Sequence, residues 1–141
     1  MREILFKGKR KDNGEWVEGS LITSINRAWI SSEKTDSQRL RSISNTNAIW
    51  RSIEIIPDTI CQFTGLCDKN GKRIWENNVV WLVYDGKEHI YQIVWDNSEL
   101  DFKATNGEEN YGSNFEYLLC CDEIEVIGNI FDNPELLQEE H

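Results

Sequence analysis

Apolar and polar residues take turns along most of the chain, in short runs broken by glycine-bearing turns. A two-residue period marks a half-buried strand. Residues 4–8 (Ile-Leu-Phe-Lys-Gly) form the first run, Asp12-Asn13-Gly14 the break, and residues 16–22 the return. Together they predict a hairpin. Ile25 and Ala28-Trp29-Ile30 form a short apolar patch, and residues 48–50 and 53–56 resume strand character. Pro57-Asp58 closes this part of the chain, because proline lacks an N–H and pushes the residue before it into extended geometry.

The densest turn chemistry lies in residues 62–76, Gln-Phe-Thr-Gly-Leu-Cys-Asp-Lys-Asn-Gly-Lys-Arg-Ile-Trp-Glu. Asn70-Gly71 predicts a two-residue type I′ turn, which needs φ > 0 at both central positions. Arg73-Ile74-Trp75-Glu76 then alternates as a strand. Residues 79–84 and 89–95 flank Asp85-Gly86 as a second hairpin. Residues 100–104, the turn Asn106-Gly107, and residues 115–120 and 124–130 complete the series. Short alternating runs at such regular spacing predict antiparallel meanders closing into a sandwich or small barrel. Asn133-Pro134-Glu135 reads as an N-cap, an N1 proline and a first-turn acid, so that Leu136-Leu137 makes a helical turn packed on the barrel.

The fold class expected is therefore all-β and mainly antiparallel. Residues 1–58 form an N-terminal β-hairpin subdomain, and residues 59–141 a small closed β-barrel with a short C-terminal helical turn. Residues 31–47 carry five serines and few large apolar side chains. Such a segment cannot bury enough surface to offset its ordering entropy, and it is expected to be a mobile loop.

Composition sharpens this picture. Six Trp, five Phe and four Tyr in 141 residues suit β-structure and interfaces. No run of about 18 apolar residues is present to span a membrane. The first residues are charged too soon for a signal peptide, so a cytoplasmic protein is expected. The net charge of −10 hides an asymmetry: residues 1–58 carry ten Lys/Arg against eight Asp/Glu, and residues 59–141 carry five against seventeen. The halves therefore stand at +2 and −12.

Little in the sequence points to catalysis. It holds no phosphate-binding glycine loop, zincin helix or nucleophile elbow. Cys61 and Cys67 are separated by five residues and Cys120-Cys121 are adjacent, a spacing that matches neither a zinc ribbon nor a finger. They are expected to be reduced, structural thiols. His89 is expected on the surface. Asp122, Glu123 and Glu125 could pair as acid and base, but adjacent carboxylates in an acidic segment are usually solvent-facing. The reading is of a non-enzyme with no cofactor and no metal.

Three blocks of residues resemble the YopX family of phage and prophage proteins. Met1-Arg2-Glu3-Ile4-Leu5-Phe6-Lys7-Gly8, with Trp16-Val17-Glu18-Gly19-Ser20-Leu21, looks like the family's opening. Residues 59–80 look like its central block, which typically runs Gln-Tyr-Thr-Gly-Leu-x-Asp-Lys-Asn-Gly-Lys-x-Ile-Tyr-Glu-Gly-Asp-Ile-Val. Residues 125–137, Glu-Val-Ile-Gly-Asn-Ile-Phe-Asp-Asn-Pro-Glu-Leu-Leu, look like its closing block. One departure stands out: the family's Glu-Gly-Asp is Glu76-Asn77-Asn78 here. Asn can still hold a left-handed bend. The resemblance implies a phage or prophage protein in the bacterial cytoplasm, all-β, with a C-terminal barrel of the small Src-homology kind. It supplies no activity and no catalytic residues.

Two kinds of function follow. The first is a protein-interaction module that self-associates, one copy's N-terminal half meeting another's acidic half, with Trp residues as anchors. Lys7, Lys9, Arg10, Lys11, Trp29, Arg39, Arg41 and Trp50 are the candidate interaction surface, and a host or phage protein is a further possible partner. The second is nucleic-acid binding by the same basic residues with Arg27 and Arg51, Trp29 and Trp50 serving as stacking faces. In its reversed form, the acidic half imitates DNA and occupies a host protein's basic groove.

Overall fold

The computed structural model describes residues 4–31, 52–97, 100–105, 115–117 and 121–138. The chain divides into two compact units, residues 1–63 and 64–141. Among the described residues the elements are strands and one short helix, α1 (Glu135–Gln138), with a 3-10 turn at Pro57–Thr59.

The first unit contains β1 (Phe6–Lys9), β2 (Trp16–Ser24), β3 (Arg27–Ser31) and β4 (Ile53–Ile55), and the chain leaves it within β5 (Cys61–Cys67). The strands lie in the order β4-β3-β2-β1-β5. The pairings are antiparallel: Lys9 faces Trp16, Ile22 faces Trp29, and Trp29 faces Glu54. Alternation decides the faces. Ala28, Ile30 and Ile55 are fully buried, with Phe6, Val17, Leu21 and Ile60 packed around them. Their odd-and-even partners, Lys7, Lys9, Trp16, Trp29 and Glu54, therefore occupy the opposite face.

The sheet curls until the end of β1 meets β4. Arg10 bridges to Ile55, the Lys11 N–H donates to the Glu54 carbonyl at 3.0 Å, and the Ile56 N–H donates to the Lys9 carbonyl at 2.8 Å. Gly8 makes that approach possible. A Cβ there would collide with Ile55 Cδ1. The Thr59 hydroxyl pins the 3-10 turn to the same place, accepting from the Lys9 N–H at 2.9 Å and donating to the Ile56 carbonyl at 2.6 Å.

The second unit holds the rest of β5, then β6 (Arg73–Trp75), β7 (Asn78–Tyr84), β8 (Lys87–Asp96), β9 (Asp101–Thr105), β10 (Phe115–Tyr117) and β11 (Glu123–Asn129). Five strands form one antiparallel sheet in the order β10-β9-β8-β7-β11. Its inner face supplies Val80, Leu82, Tyr91, Ile93, Phe102 and Ala104, and the β5–β6 hairpin lays Ile74 and Leu66 onto them. The barrel expected from the sequence is not closed. Strands β10 and β11 are opposite edges of the sheet and do not pair. The core is sealed by a hairpin across one face rather than by joining the edges.

That hairpin is held by one carboxylate. Asp68 is 8% exposed. Its Oδ1 accepts the N–H groups of Asn70 and Lys72, both at 2.9 Å, and its Oδ2 accepts the Val126 N–H at 2.9 Å. The Lys69 N–H adds a bond to the Ile124 carbonyl at 3.0 Å. The turn and the outward edge of β11 are thus fastened together. Burial raises the Asp68 pKa, but the three N–H donors and nearby Lys72 outweigh it, and the net shift is downward.

The turn differs from the type I′ expected. Gly71 has φ 82°, but Asn70 is not among the positive-φ residues. The Gly71 N–H instead donates to the Asp68 carbonyl at 3.0 Å, and the Asp68 N–H to the Lys72 carbonyl at 2.7 Å. This is a three-residue loop with a left-handed glycine. A type I′ geometry is found at Asp85-Gly86, with φ 51° and 75° between Tyr84 and its partner Lys87. Asn77 does take the left-handed bend, at φ 71°. Beside it the Asn78 Oδ1 accepts the Trp75 N–H at 2.7 Å, a neutral acceptor where the family pattern has a carboxylate.

A bulge in β11 leaves Ile127 out of register between Val126 and Gly128. The closing segment folds back here. A Cβ on Gly128 would meet Asn133 Oδ1 at 2.6 Å and Leu136 Cδ1 at 2.9 Å. Leu136 thus packs on the sheet as expected. The Asn133 side chain does not cap α1, however: its Oδ1 accepts the Asn129 N–H at 3.3 Å. The expected mobile loop 31–47 lies outside the described residues beyond Ser31, as do residues 48–50 and Asn106-Gly107.

The Gly8 contact makes a prediction. Gly8→Ala should destabilise the protein by about 1–3 kcal/mol, the usual effect of overpacking a tight core. Urea unfolding would show a lowered midpoint; an unchanged midpoint would mean that Ile55 yields freely.

Candidate interaction surface

The outer face of the first unit is built by hairpin register. On β1, Lys7 and Lys9 are two residues apart and so point the same way. Across from them β2 places Trp16, directly opposite Lys9. The Lys7 Nζ lies 4.6 Å from the Trp16 ring centroid and the Lys9 Nζ 5.5 Å. Both are within cation–π range, an attraction of roughly 0.5–1 kcal/mol each at an exposed site.

A second cluster lies on β3 and β4. Arg27 forks onto Glu54, with Nε to Oε2 at 3.0 Å and Nη2 to Oε1 at 2.8 Å. Its guanidinium carbon is also 4.8 Å from the Trp29 ring centroid. Lys11 reaches the same carboxylate at 3.5 Å. The Arg27 hydrogen bond, with further attraction from Lys11, holds the Glu54 pKa at about 2. Arg10 is paired within its own turn, Nη2 to Asp12 Oδ2 at 2.8 Å, which raises its pKa and lowers that of Asp12.

The basic residues expected at one hairpin tip therefore divide. Lys7 and Lys9 flank Trp16, Lys11 joins Arg27 and Trp29 at Glu54, and Arg10 turns to Asp12. Arg39, Arg41, Trp50 and Arg51 lie outside the described residues. Sequence reasoning singled out the cations and Trp29 but missed Trp16 and the two carboxylates. No local signal gave Trp16: a loop of residues 12–14 would set it opposite Arg10, and only the observed register, Arg10 with Glu15 and Lys9 with Trp16, brings it to the Lys7/Lys9 side.

The remaining candidates are placed as follows. His89 is half-buried and its ring stacks on Tyr91 at 4.9 Å, on the core side of β8 rather than the open surface. Cys61 is buried, Cys67 exposed and Cys121 half-buried, and none of the three is joined in a disulfide. Glu123 and Glu125 share Lys69, at 3.7 and 3.4 Å, instead of facing one another as acid and base. Among the described residues no group of three His, Cys, Asp or Glu could hold a metal ion. No helix among them is long and apolar enough to cross a membrane.

The fold and surface together define an all-β protein of two small antiparallel units whose polar faces carry tryptophan–cation clusters. The model of the YopX protein family matches residues 5–138, and the chain belongs to that family. Among solved structures it is similar to protein EF1440 from Enterococcus faecalis, at 22% identity and a TM-score of 0.53, with 97% of this chain and 99% of that one covered. That likeness is one of fold. A search of curated proteins returns no match.

The Glu54 cluster makes a pH prediction. Its pKa is about 2 in the folded protein and about 4.3 when unfolded. A depressed folded value gives stability that is present above the unfolded pKa and is lost as pH falls toward the folded one. Thermal melting should therefore decline between about pH 4.5 and 2. Glu54→Gln should flatten part of that decline, and a variant whose melting follows the wild-type curve at every pH would contradict it.

Proposed function

We propose that this protein is a non-enzymatic interaction module of phage or prophage origin, acting in the bacterial cytoplasm and self-associating through side-chain faces. The observation that carries the reading is the Lys7–Trp16–Lys9 cluster on the outer face of the first sheet. An aromatic ring flanked by cations is a compact anchor for an acidic surface. The chain's second half, at −12, supplies the acidic residues for one.

Strand addition is disfavoured at two edges. The edge of β4 is bridged by residues 9–11, and the outward groups of Ile124 and Val126 on β11 are taken by Lys69 and Asp68. An edge whose backbone groups are already bonded offers no template to another chain. Nucleic-acid binding is the weaker reading, because Asp12 and Glu54 already engage Arg10, Lys11 and Arg27. Phosphates would have to compete with carboxylates of the same unit.

Size-exclusion chromatography with light scattering tests the proposal. Wild-type protein should exceed the monomer mass at low salt and shift toward it as salt screens the charges. Lys7→Ala combined with Lys9→Ala should shift it toward monomer at low salt as well. A wild-type monomer at both low salt and about 100 mM, where the screening length is ~10 Å, would overturn the proposal.

A further inference from the structure

The second unit carries a counterpart to the Lys7–Trp16–Lys9 cluster. On the face of its sheet opposite the core, Glu125, Trp81 and Ile90 form one cross-strand row, and Glu123, Val83 and Glu88 the next. Trp81, Val83 and Ile90 are each half-buried. The Trp81 Nε1 donates to Glu88 Oε1 at 2.9 Å. Lys69 reaches over the edge of β11 onto this face. Its Nζ lies 4.8 Å from the Trp81 ring centroid, 3.4 Å from Glu125 and 3.7 Å from Glu123. The chain itself thus shows how an ammonium group is received here: by the ring and by paired carboxylates.

From this we infer that the Trp81 face of one copy receives the Lys7–Trp16–Lys9 face of a second copy, so that assembly is head-to-tail. The inference rests on the self-association proposed above and names its contact. Two matches carry it. The first is charge. Glu88, Glu123 and Glu125 bring three carboxylates against the single ammonium of Lys69, a net negative face, whereas on the other face Lys7 and Lys9 outnumber Glu18, which lies directly opposite Lys7. The second is spacing. Lys7 and Lys9 are two residues apart on a strand, as are Glu123 and Glu125, and both pairs therefore repeat at about 6.6–6.8 Å. Each pair also has a tryptophan directly opposite one member, Trp16 beside Lys9 and Trp81 beside Glu125. Different patches on the two partners make the contact heterologous, which propagates into a ring or an open chain rather than stopping at a two-fold dimer.

A charge exchange on the full-length protein tests this, read by light scattering at low salt. Lys7→Glu/Lys9→Glu and Glu123→Lys/Glu125→Lys should each be monomeric alone. An equimolar mixture should associate again, since each then offers what the other lacks. The milder Glu123→Gln/Glu125→Gln should weaken association several-fold with an unchanged circular dichroism spectrum. Asp85→Asn/Glu135→Gln, the same change in charge elsewhere in the second unit, should leave it intact. Monomeric wild-type protein would remove the self-association reading itself. Wild-type protein that associates while Glu123→Lys/Glu125→Lys associates equally would overturn only the assignment of the face. So would a mixture that stays monomeric, or an Asp85→Asn/Glu135→Gln variant weakened as much as Glu123→Gln/Glu125→Gln.

Discussion

The second unit depends on the Asp68 carboxylate. A β-hairpin turn and a sheet edge both leave backbone N–H groups without strand partners, and leaving such groups buried and unbonded is costly. Asp68 answers three of them with two oxygens, two in its own turn and one on β11. In doing so it lays Leu66 and Ile74 across the inner face of the sheet, where they complete the core with Val80, Leu82 and Ile93. An open sheet with one exposed apolar face becomes a two-layer unit without any strand having to close a barrel. Asp68 and the adjacent Lys69 thus do two related tasks, one fastening the edge of β11 and the other covering Trp81 on the outer face.

The first unit solves the same problem differently. Here the sheet bends until Arg10 and Lys11 reach β4, and Gly8 gives Ile55 the room to lie under the bend. Its charged groups are then arranged on the outer face, where each described cation cluster includes an aromatic ring or a carboxylate. Apart from the half-buried Glu54 pair, exposed pairs of this kind contribute little to stability. Holding long side chains in fixed positions would reduce the entropy lost in the self-association proposed above.

Much of this was legible in the sequence, because alternation and Asn/Asp-Gly turns are local signals. The strand pairs around Asp12-Asn13-Gly14 and Asp85-Gly86 form as their residues predict. The central turn was located correctly and its geometry was not. Asn70-Gly71 alone favours a type I′ turn, but Asp68 organises the loop from outside the dipeptide. Its third bond, to Val126, spans 58 positions and leaves no trace in local patterning. Barrel closure failed for a similar reason: strand count and spacing do not reveal which edges meet. At the candidate surface the cations were visible, but Glu54 reaches Arg27 only through the β3–β4 pairing and Lys11 only where the end of β1 meets β4.

Central to the second unit is a buried, ionised Asp68 that holds the Val126 amide across its two layers. Nuclear magnetic resonance through an acid titration tests this directly. The Asp68 carboxyl should titrate below the usual aspartate value of about 3.9, and the Val126 amide proton should shift with the same midpoint and stay protected from exchange until that pH is reached. A Val126 amide that exchanges freely at neutral pH, or an Asp68 carboxyl that titrates at the ordinary value without moving it, would contradict the account.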